Sequence, residues 1–222
     1  MKSTQPAATT FNPHYNSLNT ASKIILALER ITEAFRVMLW QASKTTGLSP
    51  LQIQILTFLL YHLPQQQRTV SYLAQEFNMT KPTISDAIKS LQEKGLIRKE
   101  SSLQDSRSYT IFLTEDGTRL ANTTAVFAQY FHNALAEMPP IEQELLLEYL
   151  ITIIRSLHKQ GFLTIQRTCF TCRFHTQHPM HSLPPYQSYC TLLDVSLHSS
   201  DIRLDCPHHE SPVSMHKQPS SA

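Results

Sequence analysis

Apolar residues recur at intervals of three and four from Ser22 onward: Ile24, Leu28, Ile31, Phe35 and Met38 mark one face of a helix that Gly47 ends. Ser49 and Pro50 open a second helix, with Ser49 as N-cap and Pro50 in the first helical position, where its missing N–H does no harm. Leu51, Ile55, Leu56, Leu59 and Leu60 form its inward face, and Pro64 stops it. A short third helix over 70–77 turns Leu73 and Phe77 inward. Asn78, Met79 and Thr80 make a turn, and Thr80 caps a fourth helix striped by Ile84, Ala87, Ile88 and Leu91. Lys81, Thr83, Ser85, Asp86, Lys89 and Ser90 then face outward, and Gly95 is the C-terminal stop. Residues 96–101 and 108–113 pair as a hairpin whose tip is Gln104, Asp105, Ser106 and Arg107. Thr114 caps one long helix striped by Leu120, Thr124, Phe127, Phe131, Leu135 and Met138, which Pro139 and Pro140 break. The last helix, 141–159, is apolar on most of its circumference.

Two short amphipathic helices at a tight polar turn, followed by a hairpin with a basic tip, predict a winged helix-turn-helix. The second helix of that module fits the DNA major groove. The fold class is therefore mainly α with a small β-wing. One core uses roughly a third to a half of a helix surface, so the excess apolar surface of the last helix calls for a second partner, most simply a twin subunit.

On the outward face, Lys81 and Lys89 lie two turns apart and both reach the groove or its phosphates. Thr83 and Ser85 are short hydroxyl donors near the helix N-terminus, where base edges come within reach. Arg98 and Lys99 are expected phosphate contacts. Arg107 at the wing tip can enter the minor groove, with Asp105 holding its guanidinium. Asp86 on that face is unfavourable near phosphate unless it pairs with Lys89 or accepts from a cytosine amine.

Net charge is only +2, so nucleic-acid binding rests on a local basic surface rather than on overall basicity. Lys2 is not followed by an apolar core, and the most apolar run, 145–154, contains Glu148 and is too short to span a bilayer. The expectation is a soluble cytoplasmic protein with no membrane partner. In such a reducing compartment, cysteines serve as metal ligands or redox groups rather than disulfides.

The run from Leu48 to Leu56, the Gly95-Leu-Ile-Arg98 turn into the wing, and Asp105-Ser-Arg107 followed by Leu113-Thr-Glu-Asp-Gly117 resemble the MarR family of bacterial regulators. The similarity covers about residues 21–160, and the wing motif is its specific part. The resemblance implies a homodimer built from the first and last helices, which serve as dimerisation helices flanking the winged module. It further implies binding to a pseudo-palindromic operator in double-stranded DNA, usually for repression, and the same minor-groove role for Arg107. Such regulators typically take a small-molecule effector between the DNA-binding lobes and the dimer helices. The family normally ends near Lys159, whereas this chain continues to residue 222.

That continuation holds all four cysteines, Cys169, Cys172, Cys190 and Cys206. Cys169 and Cys172 have the knuckle spacing in which two thiolates converge on one metal. Prolines and histidines also concentrate after Phe174, a composition shift that marks a boundary. The domain reading is a flexible arm at 1–20, the winged dimer domain at 21–160, a cysteine-rich module at 161–212 and a disordered tail at 213–222. A segment with so few core residues gains folding free energy from metal, on the order of 10 kcal/mol for structural zinc. Zinc is the first expectation for the four thiolates. An iron–sulfur cluster, which also takes four thiolates, is the alternative, and Cys206-Pro207 fits it. His175, His178, His181, His198, His208 and His209 can replace a thiolate or bind a second ion.

The leading function is a dimeric transcriptional regulator whose tail binds metal and senses metal or redox state. A winged helix that docks a protein, with a purely structural metal tail, is the alternative. A redox enzyme needs the cysteine pair at a helix start after a strand, whereas here it follows a helix and a break. No Ser/His/Asp arrangement, glycine-rich phosphate loop or paired catalytic carboxylates appear elsewhere, so no enzyme is expected.

Overall fold

The computed structural model describes residues 10–12, 19–61, 68–101, 109–163, 167–177 and 188–212. Helix α1 (Thr20–Thr46) is followed by α2 (Pro50–Tyr61), α3 (Val70–Glu76) and α4 (Lys81–Glu93). Strands β1 (Ile97–Ser101) and β2 (Tyr109–Leu113) form an antiparallel hairpin in which Ile97 faces Leu113 and Ser101 faces Tyr109. Helix α5 (Glu115–Thr124) runs through a 3-10 turn (Ala125–Ala128) into α6 (Gln129–Ala136), and α7 (Pro140–Lys159) closes the helical part. Beyond it, a 3-10 turn (Cys169–Thr171) leads to a second antiparallel sheet of β3 (His175–Gln177), β4 (Ser188–Cys190) and β5 (Val195–Leu197), in that order.

Helix α2 is the centre of the main core. Ser49 and Gln52 cap it reciprocally: the Ser49 N–H donates to Gln52 Oε1 (2.9 Å) and the Gln52 N–H to Ser49 Oγ (3.2 Å). The sequence pattern gave α2 one buried face, but Ile53 and Phe58 are buried as well and Leu51 and Leu60 half-buried. The reason is that α1, α4, α5 and β2 all pack around it. Leu73, Ile84, Ile88, Leu91, Ile97, Ile111 and Ala121 complete this core.

The α1 stripe departs from expectation. Ile24, Ile31 and Phe35 are 48%, 45% and 41% exposed, and Val37 and Trp40 are open beside them. Only the C-terminal end of α1, through Leu39 and Ala42, packs on the core. The stripe is helical in period but only partly covered: Leu28 and Met38 are half-buried and Phe35 meets other rings, while Ile24 and Ile31 stay open.

The expected single helix after Thr114 is also interrupted. Thr123 and Thr124 hydroxyls donate back to the Arg119 and Leu120 carbonyls (3.0 Å each), a pattern that bends helices. The 3-10 turn at Ala125–Ala128 follows at once, and the Phe127 and Phe131 rings then gather around Phe35 of α1.

The joint between wing and α5 explains the Leu-Thr-x-x-Gly pattern. Thr114 Oγ1 accepts from the Gly117 N–H (3.0 Å) and donates to the Gly95 carbonyl (2.8 Å). Gly117 lies against the Leu96 carbonyl so closely that a Cβ there would meet its oxygen at 1.8 Å. Gly95 itself has φ +71 and lets the Leu96 N–H reach back to the Leu91 carbonyl (3.0 Å), ending α4.

The cysteine-bearing segment is a folded unit with its own sheet, which the sequence pattern did not indicate. Cys169, Leu197 and Ile202 bury themselves against Ile151 of α7, with Leu147, Phe170 and Cys190 around them. Arg155 of α7 also lies 4.1 Å from the Phe170 ring. Part of the surplus apolar surface of α7 is therefore covered by this unit rather than left for a twin. Among the described residues, no helix is long and apolar enough to cross a membrane.

Candidate nucleic-acid interface and cysteine site

Thr80 caps α4: its Oγ1 accepts from the Thr83 N–H (3.3 Å) and lies 2.8 Å from Thr83 Oγ1. The apolar residues Ile84, Ile88 and Leu91 are fully buried, which fixes the rotation of the helix. Lys81, Thr83, Ser85, Asp86 and Lys89 are exposed on the other side, as the spacing predicts, while Ser90 is half-buried. Lys89 faces Glu93 at 4.0 Å, with both side chains largely in solvent. The acidic partner of Lys89 is thus Glu93, one turn away, and not Asp86.

On the wing, both expected cations lie over aromatic rings of the opposite strand. Arg98 sits 4.9 Å from the Phe112 ring centre and pairs with Glu100, and Lys99 Nζ sits 4.5 Å from the Tyr109 ring. Arg68, which the sequence reading left out of the site, shares the Phe112 ring at 5.5 Å. Its backbone carbonyl accepts from the Ile111 N–H (2.9 Å), so it runs beside β2, and burial pulls its guanidinium pKa down. Asp105 and Arg107, the wing-tip pair, lie outside the described residues.

All four cysteines line one small cavity, of about 20 Å³, together with Phe174, His175, Leu192, Leu193, Leu197 and His208. None is in a disulfide. The Arg203 N–H points at Cys169 Sγ (3.4 Å), and Arg203 Nη1 lies 4.0 Å from Cys206 Sγ. Burial pushes the Cys169 thiol pKa up; the Arg203 N–H opposes this and the other three cysteines add to it.

The candidate histidines divide clearly. His175 is hydrogen-bonded through its backbone N–H to the Cys172 carbonyl (3.2 Å) and faces Cys190 across the β3–β4 pair. Its Nε2 is buried without a hydrogen-bond partner. Burial, and behind it the Arg155 charge, lowers the His175 pKa and so favours the neutral ring. His208 lines the cavity as well. His209 is committed to Thr171 (3.0 Å) and His198 to Asp201 (3.2 Å). His178 and His181 lie outside the described residues.

In chemical type this lining, four cysteine sulfurs with His175 and His208 beside them, suits a thiophilic ion. Among the described residues, no three His, Cys, Asp or Glu side chains already stand at ligating positions around one point.

The cysteine unit also touches the helix-turn-helix. Arg167, with its side chain 9% exposed, forks onto Glu76 of α3: Nη1 to Oε2 is 2.5 Å and Nη2 to Oε1 is 2.9 Å. Nη1 also donates to Tyr72 Oη (3.0 Å), and Nε to Asp205 Oδ1 (2.6 Å). Burial works against the guanidinium charge, but the bonds to Glu76, Asp205 and Tyr72 outweigh it, and the pKa is raised. Nothing in the sequence pairs Arg167 with Glu76, because 91 positions separate them.

The MarR family model matches residues 46–108, from the end of α1 to the wing. Two solved structures of Staphylococcus aureus MepR, one of a MepR–DNA complex and one in the DNA-binding conformation, match with TM-scores of 0.53 and 24% identity. They cover 60% of this chain and 96% and 98% of theirs. The fold is thus a winged helix-turn-helix of the MarR type. No curated protein matches the chain by sequence.

Proposed function

We propose that the chain is a sequence-specific, DNA-binding transcriptional regulator that acts as a homodimer, and that its cysteine module binds zinc. The observation that carries the DNA reading is the exposed polar face of α4, with Lys81, Thr83, Ser85 and Lys89 held outward by a fully buried Ile84–Ile88–Leu91 stripe. MepR, whose fold this chain shares, is recorded in complex with DNA. Entry of the α4 N-terminus into the major groove would bring Thr83 and Ser85 to base edges and Lys81 to a phosphate. Arg68, Arg98 and Lys99 would follow the backbone, and Arg107 would reach the minor groove beside the wing.

The homodimer reading is supported by the open apolar positions on α1 and α7. Ile24, Ile31, Phe35, Ile141, Leu145 and Tyr149 are all more than 40% exposed, more than an isolated chain leaves open without reason. A twofold pair of α4 helices places half-sites about one helical turn apart on a pseudo-palindromic operator. The family resemblance adds repression as the expected outcome of binding, a small-molecule effector as an expected input, and the bacterial cytoplasm as the setting.

Zinc is favoured over an iron–sulfur cluster by the lining itself, in which His175 and His208 stand beside the four thiols as in the mixed sulfur–nitrogen sets of structural zinc sites. When bound, the ion would cross-link Cys169, Cys172, Cys190 and Cys206 and supply folding free energy to the small sheet.

Two measurements test these readings. Anisotropy titration of the full chain against the duplex upstream of its own reading frame should show binding that weakens steeply with salt. Unchanged affinity in a Lys81→Ala, Arg107→Ala double variant would refute the contact assignment. Metal analysis after anaerobic purification should give a colourless protein with zinc. A brown sample containing iron and sulfide would replace zinc by the cluster.

A further inference from the structure

The cysteine module touches the helix-turn-helix of its own chain through one buried guanidinium, and both ends of that contact are informative. At the DNA-binding end, Arg167 holds Tyr72 and Glu76, one helical turn apart on α3. Glu76 is the last residue of α3, immediately before the turn into α4. That turn is tight: Asn78 has φ 50, and the Met79 N–H reaches back to the Ala74 carbonyl (2.9 Å). The guanidinium also lies 5.4 Å from the Phe58 ring of α2, so it is set into the edge of the main core.

At the other end, Arg167 belongs to a short paired stretch that carries two of the four cysteines. Its carbonyl accepts from the Cys206 N–H (2.9 Å), and its Nε holds Asp205, the residue before Cys206. Two positions on, the Cys169 N–H donates to the Arg203 carbonyl (3.1 Å). Residues 167–169 and 203–206 therefore lie side by side, with Cys169 and Cys206 both facing the cavity. A group that cross-links those two sulfurs also pins these segments together and, with them, the backbone from which Arg167 projects.

We propose that the cysteine module is a metal-dependent latch on the helix-turn-helix of its own chain, with Arg167 as the bolt and Tyr72 and Glu76 as the catch. With the ion in place, α3 and the turn into α4 are held in one arrangement. Without it, residues 167–169 and 203–206 part, Arg167 leaves Glu76, and α4 loses that restraint. DNA binding must then order α4 itself, so affinity falls. The latch rests on the metal reading but adds a path that bypasses the dimer helices.

The test uses the full chain, zinc-loaded or stripped by a chelator under reductant, and the same upstream duplex. Zinc content, duplex affinity and amide hydrogen exchange over residues 70–80 are measured on wild type, Arg167→Met and Glu76→Gln. Glu76→Gln lies in the DNA-binding lobe and leaves the cysteine unit intact, so it remains informative should Arg167→Met fold poorly. In wild type, zinc removal should weaken duplex binding about tenfold, within the usual range of coupling between sites, and speed exchange over 70–80. Arg167→Met should keep its zinc yet bind like the stripped wild type, with no further loss on chelation; Glu76→Gln should fall between the two.

Variants that hold zinc and still respond like wild type would overturn the latch while leaving the metal reading intact. A wild-type chain that takes up no zinc would overturn the metal reading and the latch with it.

Discussion

Replacing Gly117 by alanine should damage the joint on which the wing hangs. The new Cβ would lie 1.8 Å from the Leu96 carbonyl oxygen and 2.8 Å from its carbon. Both are backbone atoms, so no side chain can swing aside. Reaching even a 3.0 Å contact means parting α5 from the start of β1 by about 1.2 Å, the difference between 3.0 and 1.8 Å. A movement of that size strains the bonds from Thr114 Oγ1 to Gly95 (2.8 Å) and from the Thr114 N–H to Leu96 (3.1 Å). Overpacking costs about 1–3 kcal/mol and each lost hydrogen bond about 1, so the variant should lose about 3–5 kcal/mol. Gly95→Ala is the control. It has open space around its Cβ but φ +71, and should cost only about 1–2 kcal/mol, the penalty of a left-handed residue. Urea unfolding followed by circular dichroism compares the two. A Gly117→Ala chain no less stable than Gly95→Ala would refute the steric reading of this joint.

Other outcomes follow from the same geometry. Phe35→Glu places a charge where Phe35 stacks on Phe131 (4.1 Å) on the open face of α1, and should convert a dimer into monomers in sedimentation velocity; a dimer that persists would move the interface elsewhere. Lys81→Ala should lower the slope of log affinity against log salt by about 1, and an unaltered slope would remove Lys81 from the phosphate contacts. Glu100→Ala releases Arg98 from an exposed ion pair, so stability should change by less than about 1 kcal/mol while duplex affinity rises; weaker binding would contradict the phosphate role of Arg98. In the metal-free chain, Cys169 should alkylate more slowly than a free cysteine thiol at pH 8, because burial raises its thiol pKa. The same shift has a definite sign for stability. The unfolded thiol ionises first, so this contribution is complete below the ordinary thiol pKa and is lost as pH rises through the higher folded one.

The parts of the fold legible in the sequence are those governed by neighbours along the chain. The Ser49 cap, the Asn78–Thr80 turn, the stop at Gly95 and the cap at Thr114 are local chemistry, and the winged module assembled from them stands as read. Period alone could show that Ile24, Ile31 and Phe35 share a face but not whether one chain covers it. The break after Thr124 depended on hydroxyls bonding backward along the helix, which an apolar stripe does not record. In the cysteine unit, three short strands are each too brief to show an alternating pattern. The four cysteines were visible as a group, yet only the tertiary structure shows that His175 and His208, of the six candidate histidines, line the same cavity. The Arg167 fork was invisible because it is a tertiary pairing of two polar residues from distant stretches.

Helix α7 sits between two demands, and this separates two routes by which the cysteine unit could reach the DNA. One side of α7, at Leu147 and Ile151, packs on that unit, while Ile141, Leu145 and Tyr149 are exposed, the face assigned above to the proposed dimer. A signal travelling along α7 would act through the proposed dimer interface, where Ile141, Leu145 and Tyr149 lie open. A signal travelling through Arg167 stays inside one chain. The monomeric Phe35→Glu variant therefore discriminates between them. Its zinc-dependent protection of amides 70–80 should match wild type if Arg167 carries the signal, although its duplex affinity falls with the loss of the paired half-site. If that protection vanished with the dimer while zinc remained bound, the signal would run through α7, and the Arg167 contact would be a buried ion pair that merely holds the two units together.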